Sequence, residues 1–375
     1  MKTEVNFNAD IITWAIARAG YELQEFAMFP IQDWLDNKKR PTVKQLEKFS
    51  NKVHIPFGYL FLKEPPKENL PFPFFRTGRS QTEQVSINVY DTILLTQRRQ
   101  EWLIEFLEEN NYEPLPFVGK FDENTDFKII VEDIHNTLGL KNEWASSFSK
   151  FQDTLDFLTR KIEDIGIIIN FNSVVGTNNT RPISVNECRG FVLVNAFAPF
   201  MFVNSADAKA AQLFTIVHEL AHIWIGKSAG FDFRKLQPAD APIELLCDKV
   251  AAEFLVPENS FNQVWDNTPS ISVLAKHFKV SQLVIARRAL DLRKVSKQSF
   301  FKFYNDYIED LKAKKEEKKS SGGDFYASAK KKISPTFAAY VDRAIKGNAL
   351  LYRDAYRLTG LKGDTYQTFM NKLYQ

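Results

Sequence analysis

The segment from His218 to His222, which reads His-Glu-Leu-Ala-His, constrains this chain more than any other. It lies in a stretch with helical periodicity that ends at Gly226, a residue type that commonly terminates helices. Histidines four positions apart lie on one face of a helix, so both imidazoles can bind the same metal ion. Glu219 lies beside them and could take a proton from water that a metal has made more acidic. The chain has only five histidines, so chance would produce this spacing on the order of once in a few hundred such chains.

A catalytic zinc site keeps three protein ligands and one open position, so a third ligand has to come from a neighbouring element. Glu244, on the next predicted helix, is the first candidate, and Asp240, Asp248 and Glu253 are alternatives. Cys247 could share a helix face with Glu244, but a single cysteine is more often a small buried residue. Zinc itself is inferred from the ligand types, and iron or manganese could bind the same residues.

Composition favours a globular protein of two or three domains in a reducing compartment. The chain has 375 residues, 44% of them hydrophobic, and a net charge of +3 that does not by itself indicate a nucleic-acid binder. Its two cysteines, Cys188 and Cys247, are far apart and do not suggest a disulfide scaffold. The N-terminus has no apolar signal core, and the most apolar stretch, residues 190–203, is too short to span a bilayer. We therefore expect a cytoplasmic protein without a membrane partner.

The pattern around the histidines predicts a small sheet next to the motif helix. Residues 167–171 have the character of a buried strand, and residues 190–194 and 200–203 predict two more around a turn at Pro199. The motif helix would begin near Ser205 or Asp207, either of which is a good N-cap. Residues 200–204 could be the edge strand that holds a substrate as an added strand, although core packing explains them equally well. Helices are also predicted at 11–18, 23–27, from Pro41 onward, 84–111, 126–138, 155–164, 243–256 and over the last fifty or so residues. Residues 63–73 predict an extended connector, and 312–323 a charged helix end followed by a linker.

Two segments resemble the ImmA/IrrE family of zinc metallopeptidases. They are Phe214 to His222, FTIVHELAH, and Glu244 to Pro257, ELLCDKVAAEFLVP. The resemblance implies that His218, His222 and Glu244 bind Zn²⁺ and that Glu219 is the catalytic base. Cys247 stands where alanine is usual in the family, a departure that removes no ligand. Shorter matches are Arg181-Pro182, Arg189 to Phe191, Ala198-Pro199, Val203-Asn204, and a helix-turn-helix-like piece made of Leu274 to Ser281 with Arg287-Arg288.

The N-terminus resembles the Xre-type helix-turn-helix module that is often fused to this peptidase. The matching residues are Ala17-Arg18, Gly20, Leu23, Phe26-Ala27, Trp34 and Pro41-Thr42. Between Ala27 and Trp34, however, the chain has only residues 28–33, about half the usual length of the turn and recognition-helix start. This departure argues against specific DNA binding. A solvated basic loop explains the polar and basic residues there better than phosphate contacts do; they are Gln32, Lys38, Lys39 and Arg40.

The predicted fold class is α+β. The chain would be mostly helical, with a small zincin-like β-sheet packed on the HExxH helix and an N-terminal helix-turn-helix-like domain. We predict a shortened Xre-like module at 1–75, a helical connector at 76–150, a zincin-like metallopeptidase domain at 151–300 that includes the second helix-turn-helix-like piece, and a helical C-terminal region at 301–375.

Three functional hypotheses follow. The resemblance implies an endopeptidase that cleaves a regulator protein encoded nearby, of repressor or antitoxin type, with a Glu general base and zinc-activated water. The alternative is a transcriptional regulator or antitoxin-type binding protein whose metal site is structural or sensory, and DNA would be its partner. A third hypothesis joins the two, with the N-terminal module capturing a protein partner for the zinc site.

Overall fold

The computed structural model describes residues 6–68, 74–76, 85–141, 143–232, 242–316 and 325–373. The chain divides into two compact units, the first comprising residues 1–71 with 82–93, and the second residues 72–81 with 94–375. Asp240, residues 69–73 of the predicted connector and residues 317–323 of the predicted linker lie outside the described residues. In the described part of the chain, no helix has the length and apolar character needed to cross a membrane.

The first unit is built from short helices around an aromatic core. Its helices are α1 (Ala9–Arg18), α2 (Ile31–Leu35) and α3 (Val43–Val53), with single 3₁₀ turns at Leu23–Phe26 and Phe57–Phe61. The predicted helix at 23–27 is therefore wrong in type, since only a four-residue 3₁₀ turn forms there. Thr42 begins α3 through a capping box with Gln45. Trp34 and Phe49, which are 0–1% exposed, contact each other edge to face in the core.

Two of the basic residues after α2 are already paired with acidic neighbours. Lys38 Nζ lies 2.8 Å from an Asp36 carboxylate oxygen, and Lys39 Nζ lies 3.0 Å from one of Asp33. These pairs are solvent-exposed and contribute little stability. They offset part of the positive charge that a phosphate backbone would need at this loop.

Five strands of the second unit form one mixed sheet. They are β1 (Phe74–Arg76), β2 (Ile168–Asn172), β5 (Gly190–Leu193), β6 (Phe200–Asn204) and β7 (Ala229–Asp232), while β3 (Val174–Val175) and β4 (Asn178–Pro182) form a separate hairpin. The order is β1-β7-β5-β6-β2, with β5 antiparallel to both of its neighbours. The outer pairs, β2 with β6 and β1 with β7, are parallel.

The prediction that residues 200–204 form an edge strand is wrong. β6 lies between β5 and β2, and all five of its residues are buried. Its burial at successive positions means that both faces of the strand are covered, which is the pattern of an interior strand. The core-packing explanation of these residues is the one the structure supports.

Helices cover the sheet and carry the histidine motif. α4 (Ile87–Glu109), α5 (Phe127–Leu138) and α6 (Phe151–Asp164) precede β2, and α7 (Lys209–Ile225) follows β6. Gln100 of α4 donates from Nε2 to the carbonyls of Leu193 and Ala198, both at 2.7 Å, and so holds this helix against the β5–β6 connection. The α7 helix then leads through β7 to α8 (Pro242–Leu255).

The start of α7 differs from the prediction, whereas its end agrees. The N-cap is Ala208, because the Asp207 carboxylate accepts from the Ala208 amide at 2.9 Å and does not reach into the helix. The helix ends at Gly226, whose φ of +77° is a left-handed conformation that glycine adopts without a steric penalty.

The remaining chain is helical, as predicted for its last fifty residues. The helices are α9 (Glu258–Asn267), α10 (Ile271–Phe278), α11 (Gln282–Asp291), α12 (Lys297–Glu316), α13 (Phe325–Ile333), α14 (Pro335–Lys346), α15 (Tyr352–Thr359) and α16 (Gly363–Leu373). α10 and α11 pack against each other, and α13 packs on β2. With a small mixed sheet among many helices, the fold class is α+β, and this prediction is confirmed.

Candidate metal centre

The four residues predicted as the site lie together at the contact between α7 and α8. α7 carries His218, Glu219 and His222, and the first turn of α8 carries Glu244. All four are buried, with exposed fractions of 0–1%. They lie within a hydrophobic core, whose members next to them in the chain include Val217, Leu220 and Ala221 of α7. A polar cluster in such surroundings is costly unless its members satisfy one another or bind an ion.

The distances between the candidate ligand atoms fit a tetrahedral metal ion. The two Nε2 atoms of His218 and His222 are 3.2 Å apart. The Glu244 carboxylate presents Oε2 to His218 at 3.1 Å and Oε1 to His222 at 3.3 Å. Ligands bound to zinc at 2.0–2.1 Å in a tetrahedron are separated by about 3.3 Å. The residues present therefore fit Zn²⁺ in both donor type and spacing.

His218 lies between two carboxylates that come from one face of α8. Its Nε2 faces Glu244, and its Nδ1 lies 3.1 Å from Oδ1 of Asp248, one helical turn further along. A carboxylate on the far nitrogen of a ligating histidine fixes the tautomer and the ring orientation. The sequence left Asp248 open as an alternative third ligand. In the structure it contacts Nδ1 of His218, on the side of the ring that faces away from the other ligand atoms.

Glu253 and Cys247 are the other described candidates for the third ligand. Glu253 forms an ion pair with Arg288 and lies away from the histidines. Cys247 is completely buried, and its Sγ lies within 4.8 Å of the ligand nitrogens of both histidines, so a His-His-Cys set is also geometrically open. We favour Glu244, because its Oε2 lies 3.1 Å from Nε2 of His218 and its Oε1 lies 3.3 Å from Nε2 of His222, near the spacing of ligands around zinc.

The protonation states of the two histidines and Glu244 depend on one another, because their side chains are in contact. Burial lowers the pKa of both histidines, but hydrogen bonds to Asp248 and Glu244 raise the pKa of His218 above its usual value, while that of His222 stays lowered. Burial opposes ionisation of Glu244, yet the contacts with His218 and His222 hold its pKa below the usual range. These shifts favour a protonated His218, a neutral His222 and an ionised Glu244 when no metal is bound. A divalent cation would displace that proton, because ligands bind metal in their deprotonated form.

Glu219 lies beside the cluster, between the two histidines in sequence. Among the described residues, neither of its carboxylate oxygens has a hydrogen-bond partner. Burial raises the pKa of this carboxyl to about 8, which the nearby charge of His218 partly opposes. A carboxyl group with a raised pKa is a stronger base once it is ionised, so Glu219, with unused lone pairs next to a metal position, is suited to accept a proton.

A close approach of α7 to β5 determines where Glu219 lies. A Cβ atom at Gly190 would lie 2.5 Å from Cγ2 of Thr215, 2.9 Å from the carbonyl oxygen of Phe202 and 3.5 Å from Oε1 of Glu219. Only a residue without a side chain lets the helix and the sheet approach this closely. Sequence reasoning did not identify this role of Gly190, because the neighbours that require it come from two other elements.

The C-terminal end of α7 is held by residues that sequence reasoning also missed. The ring of Phe117 stacks on Trp224 at 4.5 Å between centroids, and the Trp224 indole donates to Asp133 at 2.8 Å. The amide of Gly119 donates to the carbonyl of Ile223 at 3.0 Å. These contacts join the segment after α4 and helix α5 to the motif helix, and no local pattern in the sequence indicates them.

Comparison with known families agrees with the location of the site. Residues 162–290 match the family model described as the IrrE N-terminal-like domain, Peptidase_M78. Residues 333–372 match the model of a domain of unknown function, DUF8813. The first match includes the whole histidine–glutamate cluster, supports the ImmA/IrrE resemblance over that part of the chain, and indicates a metallopeptidase-type protease. No curated protein in the comparison matches the chain. The helix-turn-helix assignments and the four-part domain division stay predictions.

Proposed function

We propose that this chain is a zinc-dependent endopeptidase in which His218, His222 and Glu244 hold the metal and Glu219 is the general base. The match of residues 162–290 to a peptidase family supports hydrolysis of peptide bonds. The observation that carries the proposal is the convergence of two imidazole nitrogens and one carboxylate within 3.3 Å of one another, at tetrahedral spacing.

In this proposal three residues bind the metal, and Glu219 transfers the proton. A zinc ion held by the three ligands would supply Lewis-acid chemistry, which acidifies water and polarises a peptide carbonyl. Glu219 would take the proton from the attacking water and deliver it to the departing amine, since its oxygens have no other hydrogen-bond partner among the described residues. Asp248 would hold the His218 ring in position through Nδ1.

The proposed substrate is a regulator protein of repressor or antitoxin type, encoded nearby, as the resemblance of the two motif segments implies. All four site residues are 0–1% exposed, so the site is shielded from solvent in this conformation. Cleavage of a polypeptide therefore requires the site to open before the substrate reaches Glu219. A shielded site is compatible with a peptidase whose activity is controlled.

The test is cleavage of neighbouring gene products by purified wild type and by Glu219→Gln, together with metal analysis of both. Glu132→Gln is the matched control, because Glu132 is exposed on α5 and far from the site in sequence. We expect wild type and Glu132→Gln to cleave and to carry about one zinc per chain, and Glu219→Gln to keep the zinc and lose cleavage.

Two results would count against the proposal. Cleavage at the wild-type rate by Glu219→Gln would remove Glu219 from the mechanism. Zinc in the wild type without cleavage of any neighbouring protein, combined with tight and sequence-selective binding to neighbouring DNA, would favour the regulator with a structural or sensory metal.

A further inference from the structure

A cavity of about 90 Å³ lies in the second unit, and none of its described lining residues belongs to the metal centre. The turn of the β3–β4 hairpin, helices α4 and α13, and the C-terminal end of α15 enclose it. Its polar lining residues are Arg99, Thr177, Asn179, Ser328, Lys332 and Thr359. The described residues of the lining include no Asp or Glu. Its volume is enough for several water-sized groups, which is the size range of a small oxyanion.

Arg99 is a buried cation in this cavity. Its side chain is only 6% exposed, and it donates from Nε to the carbonyl of Leu358 at 2.8 Å and from Nη1 to that of Lys332 at 3.3 Å. A guanidinium has five N–H donors, so these two bonds leave three for another acceptor. The Phe337 ring, 5.9 Å from Cζ, offers weak additional compensation.

Among the residues that the structure describes, no carboxylate balances the charge of the guanidinium. Within the described ranges, no carboxylate oxygen lies within ion-pair distance of Arg99, and burial lowers its pKa to about 10. Burying an arginine without a counter-ion is costly, because carbonyl dipoles replace only part of the hydration that it loses. An anion in the cavity would supply the missing charge.

Lys332 adds a second cation to the same lining. Its side chain is partly buried, burial lowers its pKa, and the described residues provide it with no ion-pair partner. The adjacent Lys331 behaves differently, since it is exposed and pairs with Asp156 at 3.0 Å. Two neighbouring lysines thus differ in surroundings: Lys331 pairs with a carboxylate, whereas Lys332 lines the cavity and has no ion-pair partner among the described residues.

We propose that this cavity is a binding site for a small tetrahedral oxyanion, either inorganic phosphate or the phosphoryl group of a phosphomonoester. Arg99 and Lys332 would balance its charge, and the polar groups of Thr177, Asn179 and Ser328 line the same space and can donate to its oxygens. The anion would join the β3–β4 hairpin to the helices that contain the DUF8813 match. This site is separate from the proposed peptidase chemistry and does not depend on it.

The experiment is calorimetric titration of the full-length protein with inorganic phosphate, with chloride adjusted to keep the ionic strength constant. The variants are Lys332→Gln and the matched control Lys331→Gln. We expect wild type and Lys331→Gln to bind alike and Lys332→Gln to bind about tenfold more weakly, which is the size of one lost charge-assisted hydrogen bond. Arg99→Gln should abolish binding, and the lysine pair keeps the test decisive if that buried substitution prevents folding.

A parallel titration with adenosine monophosphate distinguishes the two sources of the anion. Tighter binding than inorganic phosphate, with the same loss in Lys332→Gln, would identify a phosphomonoester as the ligand, and weaker binding would identify the free anion. Absence of binding by both, or equal phosphate affinity in wild type and Lys332→Gln, would overturn the proposal. Because the readout is heat of binding, these results do not depend on whether the chain cleaves peptides.

Discussion

Replacing Gly190 by alanine should disrupt the contact between the motif helix and the sheet. The new Cβ would lie 2.5 Å from Cγ2 of Thr215 and 2.9 Å from the carbonyl oxygen of Phe202. Carbon atoms in ordinary contact are about 3.5–4.0 Å apart, so the first overlap is about 1.0–1.5 Å. Neither neighbour can easily retreat, because Thr215 lies inside a buried helix and β6 is paired on both sides.

The expected cost is near the upper end of the range for overpacked cores, about 3 kcal/mol. With a urea dependence of about 3 kcal/mol per molar, the unfolding midpoint of the second unit should fall by about 1 M. Urea titration followed by tryptophan fluorescence measures this, since Trp224 is buried on the affected helix. Gly58→Ala is the control, because a Cβ there meets nothing within 4 Å and should not lower stability.

A second substitution tests whether the new Cβ overlaps with Cγ2 of Thr215. Thr215→Ser removes Cγ2 and keeps the hydroxyl, so in the Gly190→Ala background it should restore about 1 kcal/mol or more. An unchanged midpoint in Gly190→Ala would refute the close approach of α7 and β5. A lowered midpoint without any recovery from Thr215→Ser would show that the clash involves another neighbour.

Three further predictions concern other sites. Burial raises the pKa of Glu163 from 4.5 to about 7, so the folded state holds this proton more strongly than the unfolded state. The contribution of Glu163 to stability is then fully present below about pH 4.5, and about 3 kcal/mol of it is lost as pH rises from about 4.5 to above 7; Glu163→Gln should remove that loss in urea unfolding curves recorded across the range. Gly226→Ala should lower stability by about 2 kcal/mol in thermal unfolding, because φ is +77° and a Cβ would lie 2.9 Å from Cα of Gly119; an unchanged melting temperature would contradict this. Asp248→Ala should weaken metal binding about 10–100-fold in chelator competition, because it frees Nδ1 of His218; unchanged affinity would mean that Asp248 does not orient the ring.

Local spacing explains why most of the helices and the pairing of β5 with β6 could be predicted. Positions 218 and 222 share a helix face whatever surrounds them, and Gly226 and Pro257 end their helices through their own backbone properties. Glu244 was the first candidate for the third ligand because it lies on the next predicted helix, and the resemblance implied the same residue. In the structure its carboxylate lies beside both imidazoles. Short apolar runs were less informative. Residues 200–204 have the same pattern at an edge or in the middle of a sheet, so the strand order could not be read from them.

Local sequence patterns were enough to predict the histidine pair, its helix and the adjacent Glu219, because each depends on residues within a few turns of the chain. Other features appear only in the folded chain. Glu244 lies beside both imidazoles, and Asp248 faces Nδ1 of His218. Gly190 lets α7 approach β5, and Arg99 is buried without a carboxylate partner among the described residues. Each of these facts depends on contacts between residues far apart in the chain. A carboxylate on α8, a glycine in a strand and an arginine in a helix have many ordinary roles, and the folded arrangement of their distant neighbours selects one.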